Sequence, residues 1–190
     1  MRIGVLALQG AFIEHEKVLQ ELGCETVQVR KKEQLEEIDG LIIPGGESTT
    51  IGKLMEEFDL AEGIKKKANE GMPVFGTCAG LIVLATDIFE SAQPRLGLMN
   101  IVAHRNAFGR QVDSFETDLD VKGLEGEPFK AVFIRAPYIK EAGKEVDVLA
   151  SHNDKIVLAR QGNIMAAAFH PELTDDNRIH RIFIDLIKAS

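Results

Sequence analysis

The chain has 190 residues, 45% of them hydrophobic and 27% charged, enough for one domain with a real core and too few for two large ones. Lysine plus arginine number 22 against 30 aspartate plus glutamate, a formal charge of −8 that argues against a partner gripped through nucleic-acid phosphates. No apolar run approaches the roughly 20 residues of a membrane span, Met1-Arg2 leads into an apolar segment too short for a signal peptide, and a cytoplasmic location is expected.

The first half alternates aliphatic runs with helical patterns, the signature of βαβ units around a parallel sheet. Strands are predicted over residues 3–8, 26–29, 41–43 and 73–75. Helices are predicted over 12–22, with Val18, Leu19 and Leu22 on one face, and over 54–58 and 64–69. Lys65-Lys66-Lys67 reads as a solvated helix face. Cys24 and Cys78 show no C-x-x-C spacing, so neither a disulfide framework nor a zinc site is suggested, and Cys24 is assigned to the framework. After Gly97 the runs shorten, and residues 98–102, 111–115, 131–134, 146–151, 155–160 and 164–169 read as strands, several in antiparallel hairpins. His152-Asn153-Asp154 and Gln161-Gly162-Asn163 supply the turns. Residues 172–188 close the chain as an amphipathic helix with Ile179, Ile182, Phe183, Leu186 and Ile187 inward. No linker, repeat or low-complexity stretch interrupts residues 1–190, which are expected to form a single domain.

Three segments carry chemistry. Gly76-Thr77-Cys78-Ala79-Gly80 follows the run Pro73-Val74-Phe75 and precedes a helix-forming stretch over 81–85. A cysteine there sits on a sharp strand-to-helix turn at a helix N-terminus, which favours thiolate, although a lone cysteine beside an apolar strand is also ordinary core. His170 follows the apolar run 165–169 and precedes Pro171-Glu172. The carboxylate two residues on could orient the imidazole, and the same His-Pro-Glu also suits the N-terminus of a helix. Leu41-Ile42-Ile43-Pro44-Gly45-Gly46-Glu47-Ser48-Thr49-Thr50 runs a strand into a glycine pair, whose exposed N–H groups could bind an oxyanion, and then into hydroxyl residues that could cap a helix. Phosphate binding is disfavoured because the G-x-x-x-x-G-K-[ST] spacing is missing.

Cysteine elbow, His-x-Glu downstream and Pro-Gly-Gly upstream resemble the class I glutamine amidotransferases. Typical members continue the elbow with Gly-Met-Gln or Gly-His-Gln, whereas Gly80-Leu81-Ile82 departs from that. Together with Leu6-Ala7-Leu8-Gln9-Gly10, Glu14-His15, the Gly45-to-Thr50 loop, the Arg105-to-Gln111 segment, Ser114-Phe115-Glu116, Phe133-Ile134-Arg135-Ala136-Pro137 and Phe169-to-Leu173, it resembles the glutaminase subunits of pyridoxal 5'-phosphate synthases. The resemblance spans nearly the whole chain and is thinnest over residues 86–95 and beyond Thr174.

The fold so implied is α/β, a three-layer αβα sandwich of flavodoxin-like type, with a mostly parallel central sheet and antiparallel additions in the C-terminal half. The resemblance makes Cys78 the nucleophile, His170 the general base and acid, and Glu172 its orienting partner. It places Gly46, Glu47, Ser48, Arg105, Ile134 and Arg135 at the glutamine site and makes the N–H groups of Gly46 and Ala79 the oxyanion donors. Arginines suit a substrate carboxylate, which accepts a fork of two hydrogen bonds; without the resemblance Arg105 and Arg135 read as surface residues. No metal or organic cofactor is required. The implied partners are L-glutamine and a separate (β/α)-barrel synthase subunit that receives the ammonia and whose docking activates hydrolysis, with no nucleic acid and no membrane. Three rivals stand beside this reading: a glutaminase of another pathway, a cysteine-elbow protease or deglycase-like hydrolase, and a non-catalytic module. Of the other histidines, Glu14-His15 is either a partner contact or a helix-surface pair. His104 has no assigned role, His152 belongs to a turn, and His180 is expected on the exposed face of the last helix.

Overall fold

Residues such as Ile3, Val5, Leu41, Ile42, Ile43, Val74 and Phe75 have no exposed surface, as strands covered on both faces require. The computed structural model describes residues 1–105 and 113–190. In chain order the elements are β1 (Arg2–Leu6), α1 (Phe12–Glu21), β2 (Glu25–Val29), a 3-10 helix (Lys32–Glu37), β3 (Gly40–Ile43), α2 (Ser48–Glu57), α3 (Leu60–Asn69) and β4 (Val74–Thr77). Next come α4 (Ala79–Leu84), β5 (Ala85–Ile88), β6 (Met99–His104), β7 (Ser114–Leu119), β8 (Phe129–Ile134) and β9 (Tyr138–Ala142). The chain finishes with β10 (Asp147–His152), β11 (Lys155–Gln161), β12 (Ile164–Ala167), a 3-10 turn (Pro171–Leu173) and α5 (Arg178–Lys188).

The main sheet runs β2-β1-β3-β4-β12-β11-β9-β6-β5, with β10 added on β11, while β7 and β8 form a separate antiparallel ribbon. From β2 to β12 every neighbour is parallel, and β11 turns the direction by pairing antiparallel with β12. Neighbouring residues on a strand face opposite ways. Phe75 lies 5.6 Å from the Phe183 ring of α5, whereas a Cβ on Gly76 would come within 2.6 Å of Leu84 in α4. Helices therefore cover both faces. His15 of α1 meets His180 of α5 on the first face, and α2 packs with α3 and α4 on the second.

Differences from the predicted elements have local causes. α2 and α3 begin earlier than residues 54 and 64: the Glu47 carboxylate caps α2 in place of a hydroxyl residue, so Ser48, Thr49 and Thr50 lie inside its first turn. The stretch expected to stay helical to residue 85 ends at Leu84, where Ala85 turns extended and opens β5. β5, β9 and the first 3-10 helix had no predicted counterpart; β9 carries too few buried positions, Ile139 chief among them, to show a clear alternation. The closing helix does not start at residue 172. Pro171–Leu173 makes one 3-10 turn, Thr174 is extended, and Asp176 accepts the N–H and guanidinium hydrogen bonds of Arg178, so α5 starts there. Ile184 is buried alongside Ile179, Phe183 and Ile187, while Ile182 and Leu186 are half-buried. Of the strand predicted over 111–115, residues 111 and 112 lie outside the described residues. Lys65, Lys66 and Lys67 do form a charged surface, paired with Glu62, Glu70 and Glu36.

At Gly80 a Cβ would lie 2.1 Å from the Ile43 carbonyl oxygen, which is backbone and cannot rotate aside. Gly80→Ala should therefore cost about 1–3 kcal/mol, measured in urea as a lower midpoint with an unchanged slope.

Candidate active site

Cys78 occupies the single residue between β4 and α4, with φ 51° and ψ −103°. A residue with a Cβ rarely adopts that backbone, so neighbours must hold it. Its N–H donates to the Ala167 carbonyl at 2.8 Å, which ties the turn to the end of β12, and Gly80 lets α4 start hard against β3. The cysteine is 8% exposed, and its sulfur lies 4.0 Å from the Ile134 carbonyl oxygen.

His170 emerges three residues beyond the end of β12, and its N–H donates to Val132 O on β8 at 2.8 Å, which fixes where the imidazole begins. Its Nδ1 donates to Glu172 Oε1 at 2.7 Å, since a carboxylate can only accept; Nε2 is thereby left for Cys78. Burial alone would lower the His170 pKa, but the neighbouring Cys78 and the Glu172 carboxylate outweigh it and raise it to about 10. Burial pushes the Glu172 carboxyl up, yet His15 nearby and the His170 hydrogen bond hold it below the usual carboxylate range. The intervening Pro171 at the start of the 3-10 turn sets the spacing that lets a residue two positions on reach back.

On the opposite wall, the Gly45 carbonyl accepts from Ala11 N–H at 3.0 Å and Glu47 N–H donates to Gln9 Oε1 at 2.8 Å, so the loop after β3 is pinned to the loop after β1. The Glu47 carboxylate accepts from the N–H of Thr49 at 3.2 Å and of Thr50 at 2.8 Å, and from both hydroxyls, which lowers its pKa to about 2. Ser48 Oγ accepts from Gln93 Nε2, and Gln93 Oε1 accepts from Arg105 Nη1, both at 2.9 Å. Arg135 has φ 41°, unusual for a non-glycine residue, and its N–H donates to Asp113 O at 2.6 Å.

Between these walls lies a cavity of about 570 Å³. Of the residues selected from sequence, Gly46, Glu47, Ser48, Cys78, Ala79, Arg105, Ile134, Arg135 and His170 all line it, and Glu172 stands directly behind His170. From Asn106 onward the 105–111 segment carries no assignment, because residues 106–112 lie outside the described ones. The sequence did not single out Gln93, in the stretch where the resemblance is thinnest, nor Gln9 as the clamp on Glu47. Its reading of two histidines is corrected: His15 and His180 have no exposed surface, because α1 and α5 both turn these residues onto the sheet face. The signal available was the helical register, which sets His180 one turn before Ile184 and beside Ile179. His104 stacks between Phe89 and Tyr138, and His152 closes β10 against Asn153. Among the described residues no cluster of His, Cys, Asp or Glu could hold a metal ion, and no helix is long and apolar enough to cross a membrane.

The family model described as the SNO glutamine amidotransferase family matches residues 5–189. The chain belongs to that family. Similar curated proteins include the pyridoxal 5'-phosphate synthase subunit PdxT of Pelotomaculum thermopropionicum, 66% identical over 97% of this chain and 94% of the relative. The subunit of the same name from Desulforamulus reducens is 63% identical over 99% of this chain and all of the relative. A solved glutamine amidotransferase structure superposes with a TM-score of 0.94 at 53% identity, covering 98% of each chain. The SNO family member described here thus has the mixed α/β fold of a class I glutamine amidotransferase, as its sequence implies.

The Glu47 cap gives a pH-dependent prediction. Its folded-state pKa is depressed, so its stabilising effect is complete above the ordinary value of 4.5 and is lost as pH falls through about 2. Glu47→Ala should lower stability by about 1 kcal/mol at neutral pH, or roughly 2–4 °C in melting temperature. The difference from the native chain should shrink below pH 4.5 in calorimetric scans.

Proposed function

We propose that residues 1–190 act as one glutaminase domain, hydrolysing L-glutamine to L-glutamate and ammonia through Cys78, His170 and Glu172. The observation that carries this reading is the His170 imidazole, held at 2.7 Å by a buried carboxylate and lining the same cavity as a cysteine on a strained strand-to-helix turn and two arginines. The α-carboxylate of glutamine would pair with Arg105 and Arg135, bringing its side-chain amide to Cys78 Sγ.

Attack by sulfur on the amide carbon, its proton carried by His170, whose raised pKa of about 10 keeps the imidazole protonated, forms a tetrahedral oxyanion. The N–H of Ala79, free at the first turn of α4, is one donor to it. The N–H of Gly46 is the other, because the oxygen of the Gly45-Gly46 peptide is held by Ala11 and its N–H lies on the opposite edge. His170 returns its proton to the amide nitrogen, the C–N bond breaks, and ammonia leaves a glutamyl thioester. Water then attacks, His170 takes its proton and hands it to the departing sulfur, and glutamate is released. These steps use only groups of this chain and water; no metal or cofactor enters them.

The relatives' names as pyridoxal 5'-phosphate synthase subunits support a partner protein; on the reading proposed here this partner is a (β/α)-barrel synthase subunit in a cytoplasmic hetero-oligomer, receiving the ammonia and activating its release. In this proposal the barrel is a separate subunit, since these 190 residues do not themselves supply the roughly 250 that such a barrel takes.

The deciding experiment is ammonia release from glutamine with and without the barrel subunit. Native chain should be stimulated by the barrel, and Cys78→Ala should be inactive in both conditions; activity in Cys78→Ala would sink the mechanism, and lack of stimulation would sink the partnership. For the substrate site, Gln93→Leu removes the link between Ser48 and Arg105. It should raise the KM for glutamine about tenfold, the worth of a hydrogen bond to a charged group, with a smaller effect on kcat.

A further inference from the structure

Beneath the proposed triad lies a buried polar cluster that no step above uses. Oε1 of Glu172 is taken by His170, while Oε2 is buried and has no hydrogen-bond partner among the described residues. The group facing it is His15 Nε2 at 3.4 Å, which also lies 3.1 Å from Thr77 Oγ1. His15 Nδ1 is 2.9 Å from His180 Nε2, and His180 Nδ1 is buried without a partner among the described residues. Burial lowers the pKa of both imidazoles, that of His180 to about 3, so at neutral pH each carries one N–H.

A short contact between two neutral imidazoles holds one proton, and only two arrangements exist. If His15 donates from Nδ1 to His180, a bare Nε2 lone pair faces the Glu172 carboxylate and His180 is left with a buried, unsatisfied N–H. If His180 donates from Nε2 to His15 Nδ1, the His15 N–H points from Nε2 toward Thr77 and Glu172, and the orphaned atom on His180 is only an acceptor. A buried carboxylate oxygen with no donor is the costliest defect available here, and only the second arrangement turns an N–H toward it.

We infer that His15, its tautomer set by His180, is a positioning residue that holds the second oxygen of Glu172 and so keeps the first aimed at His170. This rests on the glutaminase reading above. The support is needed because Glu172 sits in a 3-10 turn of three residues, and rotation of its carboxylate would swing Oε1 away from the imidazole.

Two kinds of measurement test it. In the isolated chain with ¹⁵N-labelled histidine, NMR should find His15 and His180 both protonated at Nε2 and unprotonated at Nδ1; a proton on His15 Nδ1 would overturn the inference. In the complex with the barrel subunit, His15→Leu should lower kcat ~10- to 100-fold with KM within about twofold, the scale of a small misplacement of a reacting group. It should also slow alkylation of Cys78 by iodoacetamide. His15→Gln, whose amide nitrogen can reach the Nε2 position, should recover most of both rates at matched melting temperature. A folded His15→Leu that keeps native kcat and alkylation rate, or a Gln variant no better than Leu, contradicts the role. If His15→Leu does not fold, the tautomers and the Gln variant decide. Absence of ammonia release from the native complex would refute the glutaminase reading and leave the tautomer result standing.

Discussion

A carboxylate with no exposed side-chain surface is the most demanding group in this molecule. Withdrawing such a charge from water costs several kcal/mol even after relaxation, so the surrounding structure has to supply donors. Glu172 takes one from His170 and has His15 beside its other oxygen, and these two residues come from opposite ends of the chain. The demand reaches further: His15 has to lie on the sheet-facing side of α1, α5 has to bring His180 against it, and Thr77 has to end β4 beneath both. One ionised group thus ties both helices of one face to the strand that presents the cysteine.

The opposite face meets a steric demand. α4 can begin directly after Cys78 because Gly80 approaches the Ile43 carbonyl more closely than any Cβ allows. The cost is a cysteine in an unfavourable backbone conformation, stabilised by its N–H bond to Ala167. Packing from one side and hydrogen bonding from the other leave the sulfur at the floor of the cavity, with the first turn of α4 above it. The remaining walls come from loops fastened by single polar links: Gln9 on Glu47, Ala11 on Gly45, and Gln93 between Ser48 and Arg105. Sheet ends hold the proposed reacting groups, where position matters most, and loops hold the groups that would read the substrate.

Glu47 illustrates how one residue serves two levels. Its carboxylate is spent on the N-terminus of α2, where four donors surround it, while its N–H donates to Gln9, so the one residue both starts the helix and pins the loop of the cavity.

Short-range patterns in the sequence determined much of this protein: the parallel βαβ half with its fully apolar strands, the cysteine turn between two glycines, and the His-x-Glu spacing. Each rests on residues within a few positions of one another, where alternation, glycine tolerance and chain geometry act without help. Elements with weak local signals, such as β5 and β9, were decided by the strands they pair with. His15 and His180 mark the limit most clearly. Helical register places His180 on the apolar face of α5, but no local signal pairs it with His15; their shared proton arises only when α1 and α5 meet over β4, 165 residues of chain apart. Tertiary structure alone brings a buried carboxylate and those imidazoles together, because the energy that pairs them comes from the exclusion of water that folding creates.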